Sequence, residues 1–245
     1  MHAAVMHSND DQTAMPPRGA FFGRRKGKKL RAGQSHLTET LLPRLALDLT
    51  GPTPNDLRKL FPGTAAKLRL EIGFGGGEHL IAQGERYPEW GHIGVEPFVN
   101  GMAKALREIE ARRLTNIRLH QADAAELLPW LPEASLDRVD LLYPDPWPKR
   151  RHWKRRFVQA DTVAAIARIL KDGGEFRFAT DIPDYACWTL ARLLHSPDFT
   201  WTAECADDWR KPWPDFIRTR YEAKAIREQR TPCYLTFRRK ARETE

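Results

Sequence analysis

From Lys67 onward, short apolar runs alternate with longer segments whose apolar positions recur with helical period. Leu68-Arg69-Leu70-Glu71-Ile72 reads as a strand, followed by a glycine loop and a helix over 78–86. A second strand at 93–96 leads into a helix from 98 to about 113, and a third at 116–120 into a helix at 124–131. The fourth strand spans 136–143. Apolar positions 157, 158, 163, 166, 169 and 170 predict a helix over 156–170, which Asp172-Gly173-Gly174 stops before a fifth strand at 175–180. The next helix, 183–195, carries Pro183 where a first-turn proline is tolerated. Late strands are predicted at 201–204 and 233–239. Such alternation predicts an α/β fold with a doubly wound, mainly parallel sheet.

Before Lys67 the pattern is irregular. Residues 1–17 are polar with a proline pair and no period, and are expected to be disordered. The stretch 18–31 holds seven Lys/Arg and no acid, interleaved with Phe21, Phe22 and glycines. It reads equally as an arm that orders on RNA or as a basic tail. A short extended segment is predicted at 41–49, and one or two helical turns over 55–61, ended by Pro62-Gly63. The chain is thus divided into a flexible N-terminal arm, 1–54, and one folded domain, 55–245.

Composition narrows the partners. The net charge of +8 is clustered, with a second run of six Lys/Arg and no acid over 149–156. Clustered cations of this kind attract polyphosphates, and no amphipathic helix beside them favours a membrane surface. No apolar run approaches the roughly eighteen residues of a membrane span. Cys187, Cys205 and Cys233 are odd in number and widely spaced, which argues against a disulfide framework or a cysteine zinc site and for a reducing cytosol. The eight His residues form no metal-ligand pattern, so no metal is expected. Monomer and homodimer both stay open.

In an open parallel sheet, ligands bind beyond the C-terminal strand edges, so the residues just past each strand carry the functional signal. After the first strand come Glu71, Gly73, Gly75 and Gly77, where the backbone turns sharply and meets a ligand with no side chain between. Glu96 follows the second strand at the offset of a ribose-binding carboxylate, and Asp123 follows the third. A pyrophosphate is disfavoured by Glu78, whereas acids at 71, 96 and 123 suit a cationic nucleoside. Two bland readings stand beside this one: Glu71 as the partner of a nearby Lys, and Asp123 as a helix cap. This succession resembles the class I S-adenosylmethionine-dependent methyltransferases. The resemblance implies a Rossmann-like fold with a seven-stranded, mainly parallel sheet whose last strand is antiparallel. It also implies a glycine loop that cradles the amino-acid part of S-adenosylmethionine, with Glu71, Gly73, Gly75, Glu96, Asp123 and Asp145 binding the cofactor.

Past the fourth strand stands Tyr143-Pro144-Asp145-Pro146-Trp147-Pro148-Lys149-Arg150-Arg151-His152-Trp153-Lys154-Arg155-Arg156. Three prolines at alternate positions forbid both helix and sheet ladder through it. The run resembles the hallmark of the bacterial tRNA (guanine-N7)-methyltransferase family, as do Phe178-Ala179-Thr180-Asp181 and Thr219-Arg220-Tyr221-Glu222. That resemblance implies methyl transfer to N7 of a guanine in the tRNA variable loop, guanosine 46, in the cytoplasm. Asp145 then lies at the cofactor–substrate junction as the catalytic residue. Lys149, Asp181, Thr219, Arg220, Tyr221 and Glu222 contact the target nucleotide, and Arg151, His152, Trp153, Lys154, Arg155 and Arg156 contact the RNA. Trp147 reads evenly as a stacking platform or as loop packing. Two alternatives remain at this point: methylation of an exocyclic amine of another nucleic acid, and a non-catalytic RNA-binding module. The segment 203–216, rich in Trp, Asp and Pro, carries no sequence-level assignment.

Overall fold

The computed structural model describes residues 22–243. Its strands are β1 (Lys67–Ile72), β2 (Trp90–Val95), β3 (Ile117–His120), β4 (Leu136–Leu142), β5 (Leu170–Thr180), β6 (Phe199–Trp201) and β7 (Cys233–Arg239). They form one seven-stranded sheet in the order β3-β2-β1-β4-β5-β7-β6. Neighbours from β3 to β5 are parallel, and β7 runs antiparallel to both β5 and β6. The chain winds outward from β1 in one direction and from β4 in the other, so a crevice opens beyond the C-terminal ends of β1 and β4. The fold is the Rossmann-like, mainly parallel sheet with an antiparallel last strand.

Helices α1 (Ala32–Thr40), α2 (Leu42–Leu45), α3 (Glu78–Arg86), α4 (Val99–Arg112), α5 (Ala124–Trp130), α6 (Ala160–Ile169), α7 (Pro183–His195), α8 (Asp207–Arg210) and α9 (Arg220–Arg227) complete the described chain. On one face, α5, α6 and α7 bury Leu127, Val163, Ile166 and Tyr185 with Leu68, Leu70 and Ile72 of β1. A second cluster joins Leu80 and Ile81 of α3, Met102 and Leu106 of α4, and Leu37, Leu42 and Leu45 of α1 and α2. Both faces of β1 are covered, which is why five of its six residues are buried.

Several expectations are corrected. The segment 41–49, expected to be extended, is helical through Leu45, because Leu42 and Leu45 join the cluster formed with α1 and β3 and Pro43 falls in a first helical turn. Only Ala46 and Leu47 are extended, where Ala46 bridges to Leu119 and the Leu47 N–H reaches the Leu119 carbonyl at 2.9 Å. The arm expected to be flexible over 1–54 is therefore packed from Ala32 onward and also fastened to Val99 and Asn100 at 25–28; the expectations for 1–17 and 18–21 lie outside the described residues. The helix expected over 156–170 starts at Ala160, behind a reciprocal cap between Gln159 and Thr162, and a 3-10 helix occupies Arg150–Arg155. Strand β5 begins at Leu170, and the turn at Asp172-Gly173-Gly174 is a bulge inside it: β5 inserts 171–174 where β4 has only Asp137. Strand β6 lies two residues earlier than expected.

Candidate active site

The site grows from the end of β1. Gly73, Gly75 and Gly77 have φ of 70°, 59° and 82°, a left-handed conformation that glycine takes without a Cβ clash. This turn aims the Gly75 N–H at Glu96, just past β2, whose Oε2 accepts it at 2.6 Å while Oε1 accepts the Phe98 N–H at 2.8 Å. Burial raises the Glu96 carboxyl above its ordinary value, and the two N–H groups only partly offset this. Each Glu96 oxygen keeps a lone pair for a further donor. A Cβ on Gly73 would meet nothing within 4 Å, so the loop is open on that side.

Gly101 of α4, which the sequence reading passed over, makes this loop possible. A Cβ there would stand 2.1 Å from the Gly75 carbonyl oxygen. Its signal was present: a glycine inside a strongly helical pattern costs about 1 kcal/mol and so marks a close approach.

The remaining predicted cofactor residues sort differently. Glu71 is buried and pairs with His79 Nδ1 at 2.9 Å, not with a lysine. Asp123 caps α5, its Oδ1 accepting the Ala125 N–H at 3.0 Å, so the helix-cap reading holds geometrically. Asp145 is the exposed middle of the 144–147 loop, yet the surrounding walls desolvate its carboxyl enough to raise its pKa. Glu96 and Asp145 follow β2 and β4, the two strands that flank β1, and the Asp145 charge adds to the rise of the Glu96 carboxyl.

Residues 213–222 supply the opposite wall. Asp215, unassigned from sequence, accepts from Arg138 Nη1 at 2.9 Å and from Arg177 Nη1 at 2.8 Å, and its carbonyl accepts from Gln83 Nε2 at 2.5 Å. Burial alone would raise the Asp215 carboxyl, but the two guanidiniums outweigh it and hold it at about 2. Beneath it, Arg69 and Asp140 form a buried ion pair at 2.5 Å. Trp213 and Phe216 pack edge-to-face with Tyr234, and Phe216 meets the His79 ring. Thus 213–216 is a strap pinned across the polar face of β1, β4 and β5. Replacing Asp215 by Ala is expected to cost about 2–3 kcal/mol by thermal or urea unfolding, less than a fully orphaned buried pair because Glu175 still faces Arg138 and Arg177. With a pKa depressed from the ordinary value, this contribution is present above about pH 4 and lost as pH falls through about 2.

The strap delivers Thr219, which caps α9 by accepting the Glu222 N–H at 3.2 Å. Arg220 and Tyr221 then lie over the glycine loop, with Arg220 Nη2 and the Tyr221 ring each 3.3 Å from where a Gly75 Cβ would be. The Arg220 Nε is buried without a partner, and the guanidinium charge acts on Glu96. Glu222 is turned inward and accepts from the Tyr234 hydroxyl. Asp181 pairs with Arg230 Nε at 2.5 Å, a partner the sequence reading did not foresee.

On the rim, Lys149, Arg151 and Lys154 are exposed. His152 packs edge-on to Trp147, and Arg155 lies against both Trp147 and Phe22, 5.0 Å from each ring, while those two rings meet edge-to-face. Phe22 is carried there by the arm: Val99 N–H donates to the Arg25 carbonyl at 3.0 Å, and Asn100 clasps the backbone of Gly27 and Lys28 at 2.7 Å. Trp153 faces Trp188 inside the loop. Arg156 is corrected outright: expected on RNA, it is buried in an aromatic cage.

These residues fit a cationic nucleoside: open glycine backbone, a fixed but unsaturated carboxylate at Glu96, and a second carboxylate at Asp145 beyond the neighbouring strand end. Among the described residues, no three His, Cys, Asp or Glu side chains group to hold a metal ion, and no helix is long and apolar enough to cross a membrane.

A family model described as "Putative methyltransferase" matches residues 65–235. A tRNA (guanine-N(7)-)-methyltransferase of Rhodopseudomonas palustris (strain BisA53) is 61% identical over 223 residues, 91% of this chain and 89% of that one. Its counterpart from Bradyrhizobium diazoefficiens is 60% identical over 220 residues, 90% and 93%. Among solved structures, the 16S rRNA methyltransferase KamB superposes with a TM-score of 0.53 at 17% identity, over 72% of this chain and 89% of that one, which speaks for the fold alone. With identity of this depth along nearly the whole chain, and the glycine loop, Glu96 and the 144–156 run assembled at one crevice, the chain belongs to the tRNA (guanine-N7)-methyltransferase family.

Proposed function

We propose that this protein transfers the methyl group of S-adenosylmethionine to N7 of guanosine 46 in the tRNA variable loop, in the cytoplasm. The observation that carries the reading is the meeting of the glycine loop, Glu96 and Asp145 at one strand-end crevice with a basic rim beside it. S-adenosylmethionine supplies an electrophilic methyl on a positively charged sulfur. Gly73 and Gly75 offer backbone to its amino-acid part, and Glu96 takes the ribose hydroxyls with its free lone pairs. Glu71, paired with His79, and Asp123, which caps α5, would border the amino-acid and adenine ends of the cofactor.

Guanine N7 is an in-plane lone pair without a proton, so no general base is needed to expose it. The residues' task is placement: Lys149, Asp181, Arg220 and Tyr221 would hold the nucleotide with N7 towards the methyl group, while Thr219 and Glu222 fix the start of α9 that carries them. As positive charge passes to the purine, the fixed carboxylate of Asp145 stabilises it. Trp147 packs its loop with Phe22, His152 and Arg155, the structural arm of its two readings. The exposed cations Lys149, Arg151 and Lys154 contact phosphates and make binding salt-sensitive. Incubation with methyl-labelled S-adenosylmethionine and a mixture of unmodified tRNA and ribosomal RNA tests the substrate class. Label is expected in the tRNA, and label confined to ribosomal RNA would overturn the reading.

A further inference from the structure

We infer that Arg156 is a positioning residue for methyl transfer, holding the 144–147 loop from beneath, and that it takes no part in binding tRNA phosphates. Its side chain is the innermost of the basic run, with the residue only 1% exposed. The guanidinium stands 4.9, 5.0 and 4.8 Å from the rings of Trp153, Tyr185 and Trp188. Aromatic faces on this scale stabilise a desolvated cation, and Asp184 at the start of α7 neutralises it. Enclosed in this way, it presents no surface to a polyanion.

What it does reach is the loop. Arg156 Nε donates to the Pro146 carbonyl at 2.8 Å, the peptide that joins Pro146 to Trp147 directly after Asp145. Pro144, Pro146 and Pro148 have no N–H, so this loop is fastened through its carbonyls and side chains. Fastening is required: Trp147 has φ of 42°, a left-handed conformation disfavoured for any residue with a Cβ, and it persists only where the surroundings over-determine it. The preceding Arg155 lies on the Trp147 indole, so consecutive arginines grip the loop, one by carbonyl and one by ring. The 3-10 turn at Arg150–Arg155 separates their roles: Lys149, Arg150, Arg151 and Lys154 face solvent, while the chain end returns Arg156 to the core. Asp145 is thereby held at a fixed height over the crevice.

The inference rests on the methyl-transfer reading of that loop, and the experiment separates the two. Arg156→Lys keeps the charge but not the directed Nε donor, and Asp184→Asn weakens the clamp from an exposed position. Each is compared with wild type in single-turnover methyl transfer to saturating tRNA, and in tRNA binding from low to moderate salt, with circular dichroism reporting folding. Folded Arg156→Lys is expected to lose about 30-fold in rate, with tRNA affinity within twofold and the salt slope unchanged. Asp184→Asn, expected to lose about threefold with the same unchanged slope, carries the test if Arg156→Lys does not fold. A phosphate ligand would instead flatten the log–log slope by about 0.7–0.9, as Arg151→Ala is expected to do. A flattened slope for Arg156→Lys, or a rate within twofold of wild type in whichever variant carries the test, overturns the inference. Wild-type protein that transfers no methyl to tRNA overturns the functional reading itself.

Discussion

Asp145→Asn is expected to lower the single-turnover rate of methyl transfer to unmodified tRNA by about 100-fold, or about 2.7 kcal/mol, the scale of removing one preorganised electrostatic group. The substitution keeps the shape of the side chain and its loop, which is fixed by Arg156 on the Pro146 carbonyl and by Arg155 on Trp147. What changes is charge. Asp145 lies at a partly desolvated mouth, where its raised carboxyl acts on Glu96 and on whatever positive charge develops opposite. Because N7 carries no proton, the loss should not be rescued at high pH, as it would be if hydroxide replaced a missing base. Rapid-quench measurement on the folded variant decides: full turnover ends the electrostatic role, and rescue at alkaline pH returns Asp145 to the role of base.

Gly101→Ala is expected to lower the affinity for S-adenosylmethionine at least about 100-fold, measured by calorimetric titration. By helix propensity alone this change should stabilise α4 by about 1 kcal/mol. The added Cβ would stand 2.1 Å from the Gly75 carbonyl oxygen and 3.0 Å from its carbon, a distance at which backbone must move. The backbone available to move is the glycine loop, and its displacement breaks the 2.6 Å bond from the Gly75 N–H to Glu96. One methyl group, absent from any ligand contact, thus removes the cradle and frees the ribose carboxylate together. Undiminished affinity in this variant would mean that the glycine loop does not hold the cofactor.

Local pattern made the strand–helix alternation legible, since β1 and β2 are short runs buried on both faces and the helices following them bury one apolar stripe each. The glycine turn and Glu96 were legible because their roles depend on backbone freedom and on place in the fold, both written in local sequence. Arg156 was not. It shares its composition with Arg151, and only the three rings that Trp153, Tyr185 and Trp188 bring around it distinguish a buried anchor from a surface cation. Asp215 was illegible for the same kind of reason: its partners Arg138 and Arg177 belong to strands 77 and 38 positions away. The extended reading of 41–49 differs from the structure because leucines in a short segment fit either period, and only packing against α1 and β3 chose the helix.

The alternative of exocyclic-amine methylation of another nucleic acid differs in both the acceptor atom and the substrate, so product mapping is the most direct test. The protein is given labelled S-adenosylmethionine and unmodified tRNA, and the product is treated for strand scission selective for N7-methylguanine. The account predicts label in the tRNA and one scission at guanosine 46. Label without scission at a guanine would contradict it.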